Sequence, residues 1–425
     1  MTSPSETGPF VEHLFRHQSG RMVAHLARLL GPGNLDLAEE TVQEAMLRAL
    51  QTWPYQGVPK NATAWLFRVA HNIAIDSIRH NQVAGEKSEV LVAELTRSIV
   101  VEPQDPDIEE QLRDDELRMI FMCCHPGLSR EASVALSLKT AGGFSVGEIA
   151  RAFLADEAAI TQRLVRAKRQ IRDQRLTLEM PQPSELKRRL DSVLDVIYFL
   201  FNEGYAAHEG EDLIRHDLCF EALRLGLLVA ASSIAEPRVQ ALVALMALQG
   251  ARLPARVDRA GDLVLLEDQD RSSWDQRMIS LGFHYFERSM AGDEVSEFHM
   301  QAAIAATHAR ASVANDIDWH IILQLYDKLL SINPSPVVLL NRAVAVAKVR
   351  GPAEALKAIE PLENDAKLED YYLLLAIRGH LLRELGREAE AVECFRKALE
   401  CPCSEPERRF LKRKLADTDK RAIIL

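Results

Sequence analysis

Residues 144–175 read FSVGEIARAFLADEAAITQRLVRAKRQIRDQR, and the order of helix signals in this stretch predicts its fold. Ser145 is placed to cap a short helix over Val146–Phe153. A turn follows at Leu154-Ala155-Asp156, and a longer helix runs from Glu157 to Arg172. A short helix, a tight turn and a longer basic helix form the helix-turn-helix pattern.

The longer helix has one apolar face and one basic face. Its apolar residues recur at helical spacing, which predicts packing on the preceding helix: Ile160, Leu164, Ala167 and Ile171. The opposite face presents Thr161, Gln162, Arg166 and Arg169, flanked by Arg163, Lys168 and Arg172. Such a face can enter a major groove, where Arg reads guanine edges, Gln reads adenine, and other cations neutralise phosphates. A solvated basic face on an ordinary helix is the alternative.

Three further helices are predicted on the N-terminal side. They cover Phe10–Leu30, Leu37–Trp53 with Asp36 as its cap, and about Thr63–His80. Residues 31–34 (GPGN) end the first, and residues 54–59 (PYQGVP) read as a loop because two prolines and a glycine break the period.

The third of these helices combines aromatic, cationic and amide side chains, a composition that suits single-stranded nucleic acid. These residues are Trp65, Phe67, Arg68, His71, Asn72 and Arg79. On composition alone, a core helix with Trp65 and Val69 buried is favoured.

Three segments resemble one known family. Residues 36–45 (DLAEETVQEA), residues 64–76 (AWLFRVAHNIAID) and the stretch from Glu148 to Lys168 are similar to segments of bacterial RNA polymerase sigma factors of the extracytoplasmic-function (ECF) type. They occur in the family's order and at its separation, and the resemblance covers about residues 10–175.

The resemblance implies a division of labour without catalytic residues. The helix over residues 36–50 would dock on the β′ clamp helices of core polymerase, and the β flap would be a second contact. The loop 53–62 and the helix 63–79 would recognise and melt the minus-ten element, holding a flipped base. The helix 157–172 would bind the minus-thirty-five element as duplex. The implied site residues are Asp36, Glu39, Glu40, Gln43 and Glu44 for polymerase; Trp65, Arg68, His71, Asn72 and Arg79 for the minus-ten element; and Thr161, Gln162, Arg163, Arg166, Lys168 and Arg169 for the minus-thirty-five element.

One of these residues departs from the family. His71 stands where the family usually has Arg, and a histidine is mostly neutral at cytoplasmic pH.

A long extension follows Pro181 and Pro183. Residues 353–356 (AEAL) recur as residues 389–392 (AEAV), a period that suits tetratricopeptide-type helix pairs. Segments 201–205, 265–271 and 341–345, with residues 123–126 (CCHP), are similar to the ECF subgroup that has a tetratricopeptide-like C-terminal domain. The resemblance implies that the extension modulates activity and binds a regulatory protein or ligand.

Four acids of the extension could line a pocket: Glu203, Glu267, Asp268 and Asp270. The favoured interpretation is that they cap helices and pair with Arg224, Arg252 or Arg271.

We therefore predict an all-α protein with five parts: sigma region two (10–81), a linker (82–109), a region-four helix-turn-helix domain (110–178), a helical domain (185–290) and tetratricopeptide-like repeats (291–425). The net charge of −11 alone argues against nucleic-acid binding, but DNA binding depends on local basic patches.

The sequence predicts a cytoplasmic protein with no metal, cofactor or membrane partner, and its six scattered cysteines are expected to be free thiols. Two other functions are compatible with parts of this pattern: a helix-turn-helix regulator fused to a helical sensor, and a tetratricopeptide scaffold whose basic helix is incidental.

Overall fold

The computed structural model describes residues 18–80, 106–153, 155–206, 213–364, 368 and 371–424. The described residues contain helices and no β-strand, which confirms the all-α prediction. We number the α-helices in chain order. They are α1 (18–30), α2 (Leu35–Gln56), α3 (Ala62–His80), α4 (Pro106–Cys123), α5 (Arg130–Thr140), α6 (Val146–Ala152), α7 (Glu157–Asp173), α8 (Pro183–Tyr205), α9 (His216–Ala231), α10 (Pro237–Gly250), α11 (Gln276–Ser289), α12 (Glu297–Arg310), α13 (Trp319–Ile332), α14 (Pro336–Arg350), α15 (Pro352–Ile359), α16 (Tyr372–Glu384), α17 (Glu388–Glu400) and α18 (Glu405–Ile424).

The chain forms two compact units, residues 1–196 and 197–425, each with most of its residue contacts inside itself. The boundary between them falls inside α8. None of the described helices is long and apolar enough to cross a membrane.

The first helices differ from the sequence prediction at their ends. The described part of α1 ends at residue 30, as predicted, while residues 10–17 of the predicted first helix lie outside the described residues. Helix α2 begins at Leu35 after Asn34, so Asp36 lies in its first turn and is not its cap. It also continues through Pro54 to Gln56 and is followed by Gly57, whose φ of 82° is in the region that favours glycine. A proline near a helix end removes one hydrogen bond and leaves the preceding turns intact.

Helices α4 to α7 build the segment that the sequence predicts to be a helix-turn-helix domain, and we call this segment the helix-turn-helix part. Helix α4 begins at Pro106, inside the segment predicted as a linker, of which residues 82–105 lie outside the described residues. Ser145 caps α6 in a reciprocal pair: its hydroxyl accepts from the Glu148 amide at 3.1 Å, and its own amide donates to the Glu148 carboxylate at 2.8 Å. Helix α7 packs on α5 and α6. Its predicted apolar residues Ile160, Leu164, Ala167 and Ile171 are all buried.

Close contacts join α1 to the helix-turn-helix part within the first unit. His25 Nδ1 lies 2.9 Å from Asp115 Oδ2 on α4, and Arg28 Nε lies 2.8 Å from the other carboxylate oxygen. A Cβ atom added at Gly20 would lie 2.0 Å from the backbone oxygen of Ala141. Only a glycine therefore permits this approach of α1 to the end of α5.

In the second unit most helices pack on their neighbours in the chain, and α10 contacts α9, α11 and α12. Residues 239–248 of α10 are buried on every side of the helix, as expected of a helix at the centre of a core. Helices α11 and α12 both pack on it. The segment between α10 and α11 has only short 3-10 turns and one isolated bridge, Val257 to Leu263.

The two sequence repeats occupy equivalent positions in the second unit. Gly351 separates α14 from α15 with φ of 90°, and Gly386 separates α16 from α17 with φ of 72°. Ala355 and Ala391, the same position of each repeat, are both fully buried. The repeat thus corresponds to successive helix pairs, in which a small alanine allows the two helices of a pair to pack closely.

Candidate nucleic-acid interface

The basic face of α7 faces solvent. Thr161, Gln162, Arg166 and Arg169 are exposed, and Arg163 is partly exposed. The Thr161 hydroxyl donates to the Glu157 carbonyl within the helix. Arg169 lies 3.3 Å from Asp173 in an exposed pair, which in water adds little to stability. The structure therefore brings five of the six predicted minus-thirty-five residues together on one accessible face.

Lys168 is the sixth, and its ammonium group is occupied. Nζ lies 2.7 Å from Asp36 Oδ1 and 2.9 Å from Glu39 Oε2, both on α2. The Lys168 side chain is only 14% exposed. Burial opposes its charged form, but Glu39 and Asp36 outweigh that effect and raise the pKa of Lys168. Its charge is thus held between two carboxylates that the sequence assigned to polymerase binding.

The other predicted polymerase residues on α2 have different surroundings. Glu40 and Gln43 are exposed, and Glu44 accepts from Arg48 at 3.0 Å one turn along. Glu39, which the sequence placed on the polar face, is buried because it faces Lys168. The sequence did not single out Leu47, which is 52% exposed beside this polar row, or the exposed side of Leu50. Leu47 could have been found from the sequence, because it is an apolar residue on an otherwise polar face of the helix.

Helix α3 carries an accessible row next to its buried face. Arg68, Asn72 and Arg79 are exposed. Trp65 is partly buried, with its ring edge-on to Trp53 at 5.3 Å between centroids. The helix therefore has features of both interpretations, a core helix and a nucleic-acid-binding helix. One face packs in the core, and the other presents two cations and an amide to solvent.

His71 is not on the accessible row. Its side chain is 3% exposed, and Nδ1 lies 2.8 Å from the Phe67 carbonyl. Burial, with a smaller contribution from the nearby His25, lowers the pKa of His71 to about 4 although the bond to the Phe67 carbonyl opposes this shift. In this structure the imidazole is neutral and enclosed, so it cannot reach a DNA phosphate. The i, i+4 bond to Phe67 and the packing beside His25 explain its position.

Tyr55 adds an aromatic ring that the sequence analysis did not assign. It lies in the last turn of α2 and is 89% exposed. An exposed ring before a loop is a surface on which an unpaired base can stack. It precedes the 57–61 connection to α3.

Three of the four acids singled out in the extension have partners in the structure. Glu203 pairs with Arg215 at 2.7 Å, and Glu267 pairs with Lys348 at 2.7 Å. Asp270 caps a 3-10 turn by accepting from the Ser272 amide. The cap at Asp270 agrees with the capping expected of these acids, and Arg224 pairs with its neighbour Glu221 on α9.

The cysteines are free and buried, in agreement with the prediction of free thiols. Burial raises the pKa of Cys124 to about 12 and that of Cys123 further, so both remain thiols at neutral pH. The described residues contain no group of three or more His, Cys, Asp or Glu that could hold a metal ion.

Two family models match the chain. Sigma-70 region 2 matches residues 14–83, which include α2 and α3. A family of unknown function, DUF6596, matches residues 189–290. No solved structure matches the chain.

Two curated relatives extend this result. An uncharacterized protein of Rhizobium meliloti is 40% identical over 388 residues, which cover 90% of each chain. A protein described as probable RNA polymerase sigma factor RfaY, of Xanthomonas campestris pv. campestris, is 29% identical over 144 residues, about a third of each chain. The match to sigma-70 region 2 and the weaker similarity to the Xanthomonas protein support an RNA polymerase sigma factor, and the chain belongs to the family of the Rhizobium protein.

Proposed function

We propose that the chain is an ECF-type sigma factor that binds core polymerase and reads both promoter elements. One observation carries this proposal: the second helix of the helix-turn-helix part, α7, exposes Thr161, Gln162, Arg166 and Arg169 in a chain that also has a sigma-70 region 2. A simple helix-turn-helix regulator would have the first feature without the second.

The proposed roles follow the chemistry of the exposed side chains. Arg166 and Gln162 contact base edges in the major groove, while Arg163 and Arg169 contact phosphates. Arg68, Asn72 and Arg79 on α3 hold the melted minus-ten strand, on which Trp65 and Tyr55 offer ring surfaces. Glu40, Gln43, Glu44 and the exposed Leu47 on α2 face the β′ clamp, and the region-four part contacts the β flap.

The described arrangement represents a closed form in this proposal. Lys168 cannot contact DNA while it is bound to Asp36 and Glu39, and these two acids cannot contact polymerase while they are bound to Lys168. We propose that polymerase binding to α2 separates this triad and makes both surfaces available. The C-terminal extension modulates this step.

Two footprints of the holoenzyme on a promoter test the division of labour. Arg166→Ala should weaken protection of the minus-thirty-five duplex, because a lost bidentate base contact costs about 1–3 kcal/mol. Arg68→Ala should instead reduce permanganate reactivity of thymines in the melted minus-ten region. Each variant should leave the other signal largely unchanged.

Arg188→Ala is the matched control, since Arg188 is an exposed arginine of the first unit that lies outside α3 and α7. It should leave both footprints intact. Wild-type protection at minus thirty-five in the Arg166→Ala holoenzyme would contradict the role given to α7.

A further inference from the structure

Three arginines of the second unit lie against aromatic rings, and two of them share one indole ring. The guanidinium carbon of Arg271 lies 4.5 Å from the centroid of Trp274, and that of Arg252 lies 5.6 Å from the same centroid. Arg256 belongs to the same group, with its guanidinium carbon 3.7 Å from the ring centroid of Tyr205. We call Arg252, Arg256, Arg271, Trp274 and His308 the arginine cluster.

The arginine cluster lacks carboxylate partners among the described residues. Arg252 Nε donates over a long 3.5 Å to the neutral side chain of Gln269, and Arg271 Nη1 donates to the carbonyls of His308 and Ala311. The acids expected to neutralise these cations, such as Glu203, Glu267 and Asp270, have other partners. The cluster therefore carries positive charge, buried at Arg256 and partly buried at Arg252 and Arg271, that no carboxylate of the described residues balances.

Several donors of the cluster are buried without a hydrogen-bond acceptor in the part of the chain that the structure describes. These are Arg256 Nε, Arg271 Nε and Nη2, and Trp274 Nε1, together with the ring atom His308 Nδ1. Arg256, Trp274 and His308 are each more than nine-tenths buried. Buried donors normally form hydrogen bonds, and a buried donor without an acceptor destabilises the fold. The number of such donors in the cluster therefore indicates that an acceptor binds there.

The pKa values of residues in and beside the arginine cluster also reflect its unbalanced positive charge. Burial lowers the pKa of Arg271, and nearby Arg252 lowers it further. Burial, followed by Arg252 and Arg271, lowers the pKa of His308 to about 3. Burial alone would raise the pKa of Tyr205, but Arg252 and Arg256 outweigh it and lower that pKa. Every one of these effects favours a negative charge placed among the arginines.

We propose that the arginine cluster binds a small ligand that carries a phosphate or carboxylate group. Guanidinium groups match both oxyanions with paired N–H donors and can be buried at an ion-pair site because they are weakly hydrated. Arg252 and Arg271 are each partly exposed, so the cluster reaches the surface. Trp274 holds two of the guanidinium groups against its ring, which limits the side-chain entropy lost when the anion binds. Four cluster residues, all except His308, lie in the segment that matches the family of unknown function.

Calorimetric titration of the full chain tests this site directly, and its readout does not depend on sigma activity. The probes are inorganic phosphate, pyrophosphate and succinate, in a phosphate-free buffer whose ionic strength is held constant with sodium chloride. We expect saturable binding of at least one probe. The phosphate and carboxylate arms identify which oxyanion the site prefers.

Arg252→Gln and Arg256→Gln should each raise the dissociation constant at least tenfold. Arg288→Gln is the matched control, because Arg288 is an exposed arginine of the same unit that also lies over an aromatic ring, Tyr285. It should bind like the wild type.

A second measurement uses the wild-type chain alone, so its result does not depend on whether the variants fold. The bound probe should raise the thermal unfolding midpoint of the wild-type chain above its value in chloride at equal ionic strength, since a ligand that binds only the folded state stabilises it. The absence of saturable binding by all three probes would overturn the proposal. Unchanged binding in both folded cluster variants would overturn it as well.

Discussion

His71 lies on the same helix as Arg68 and Asn72, but its surroundings give it a different role. Its neutral imidazole packs beside His25 and is bonded to the Phe67 carbonyl. Helical position alone did not distinguish it from its exposed neighbours. Burial and the resulting low pKa make it a core residue of region 2.

This burial makes the stability of the first unit depend on pH. The folded pKa of about 4 is below the ordinary value of 6.5, so the unfolded chain binds more protons between these two pH values. Stability from His71 is present above about pH 6.5 and is lost as the pH falls towards 4. The full effect is on the order of 3 kcal/mol.

His71→Leu should remove this contribution. Its urea unfolding midpoint should fall less than that of the wild type between pH 7.5 and pH 4.5. His320→Leu, which alters an exposed histidine, serves as the control for the mutation itself. Parallel pH profiles for His71→Leu and the wild type would show that the imidazole is not buried in its neutral form.

The periodicity of apolar residues in the sequence predicted correctly which side chains of α7 are buried. Ile160, Leu164 and Ile171 are buried as the helical spacing indicated. Ion partners were not predictable in the same way. Lys168 binds Asp36 and Glu39, more than 120 residues earlier, and such pairs depend on how helices approach each other.

At the scale of elements, the approach of α1 to α5 depends on one residue without a side chain. Gly20 lies against the backbone of Ala141, so an added methyl group would force the two elements apart. We expect Gly20→Ala to lower the free energy of unfolding of the first unit by about 2 kcal/mol, within the usual cost of overpacking. Urea unfolding of the purified chain measures it.

Gly33→Ala is the matched control. A Cβ at Gly33 would have only Arg172 Cγ near it, at 4.0 Å, and should change stability little. Equal unfolding midpoints for Gly20→Ala and the wild type would contradict the described packing of α1 against the helix-turn-helix part.

Most helices followed from apolar periodicity and caps, as Ser145 and Glu148 illustrate for α6. Their ends were less predictable. The helix α2 passes Pro54 because the turns before a proline keep their hydrogen bonds, and Gly57 then ends it with a positive φ. The prolines and the glycine of residues 54–59 predicted a loop from Pro54 onwards, but in the structure the helix continues to Gln56.

At the scale of the whole molecule, the chain combines two units with different kinds of sequence signal. The first unit contains the match to sigma-70 region 2 at residues 14–83, a signal specific enough to be recognised from sequence. The second unit carries a helical repeat and an arginine cluster. The cluster was not predictable, because its arginines are spread between residues 252 and 271 and the acids near them in sequence bind elsewhere.

The most direct test of the sigma assignment is run-off transcription with core polymerase and the purified chain on genomic DNA fragments. We predict discrete start sites that core polymerase alone does not produce and that the double variant Arg68→Ala, Arg166→Ala loses. Failure of the wild-type chain to bind core polymerase, or to produce any start site beyond those of core polymerase alone, would contradict the account.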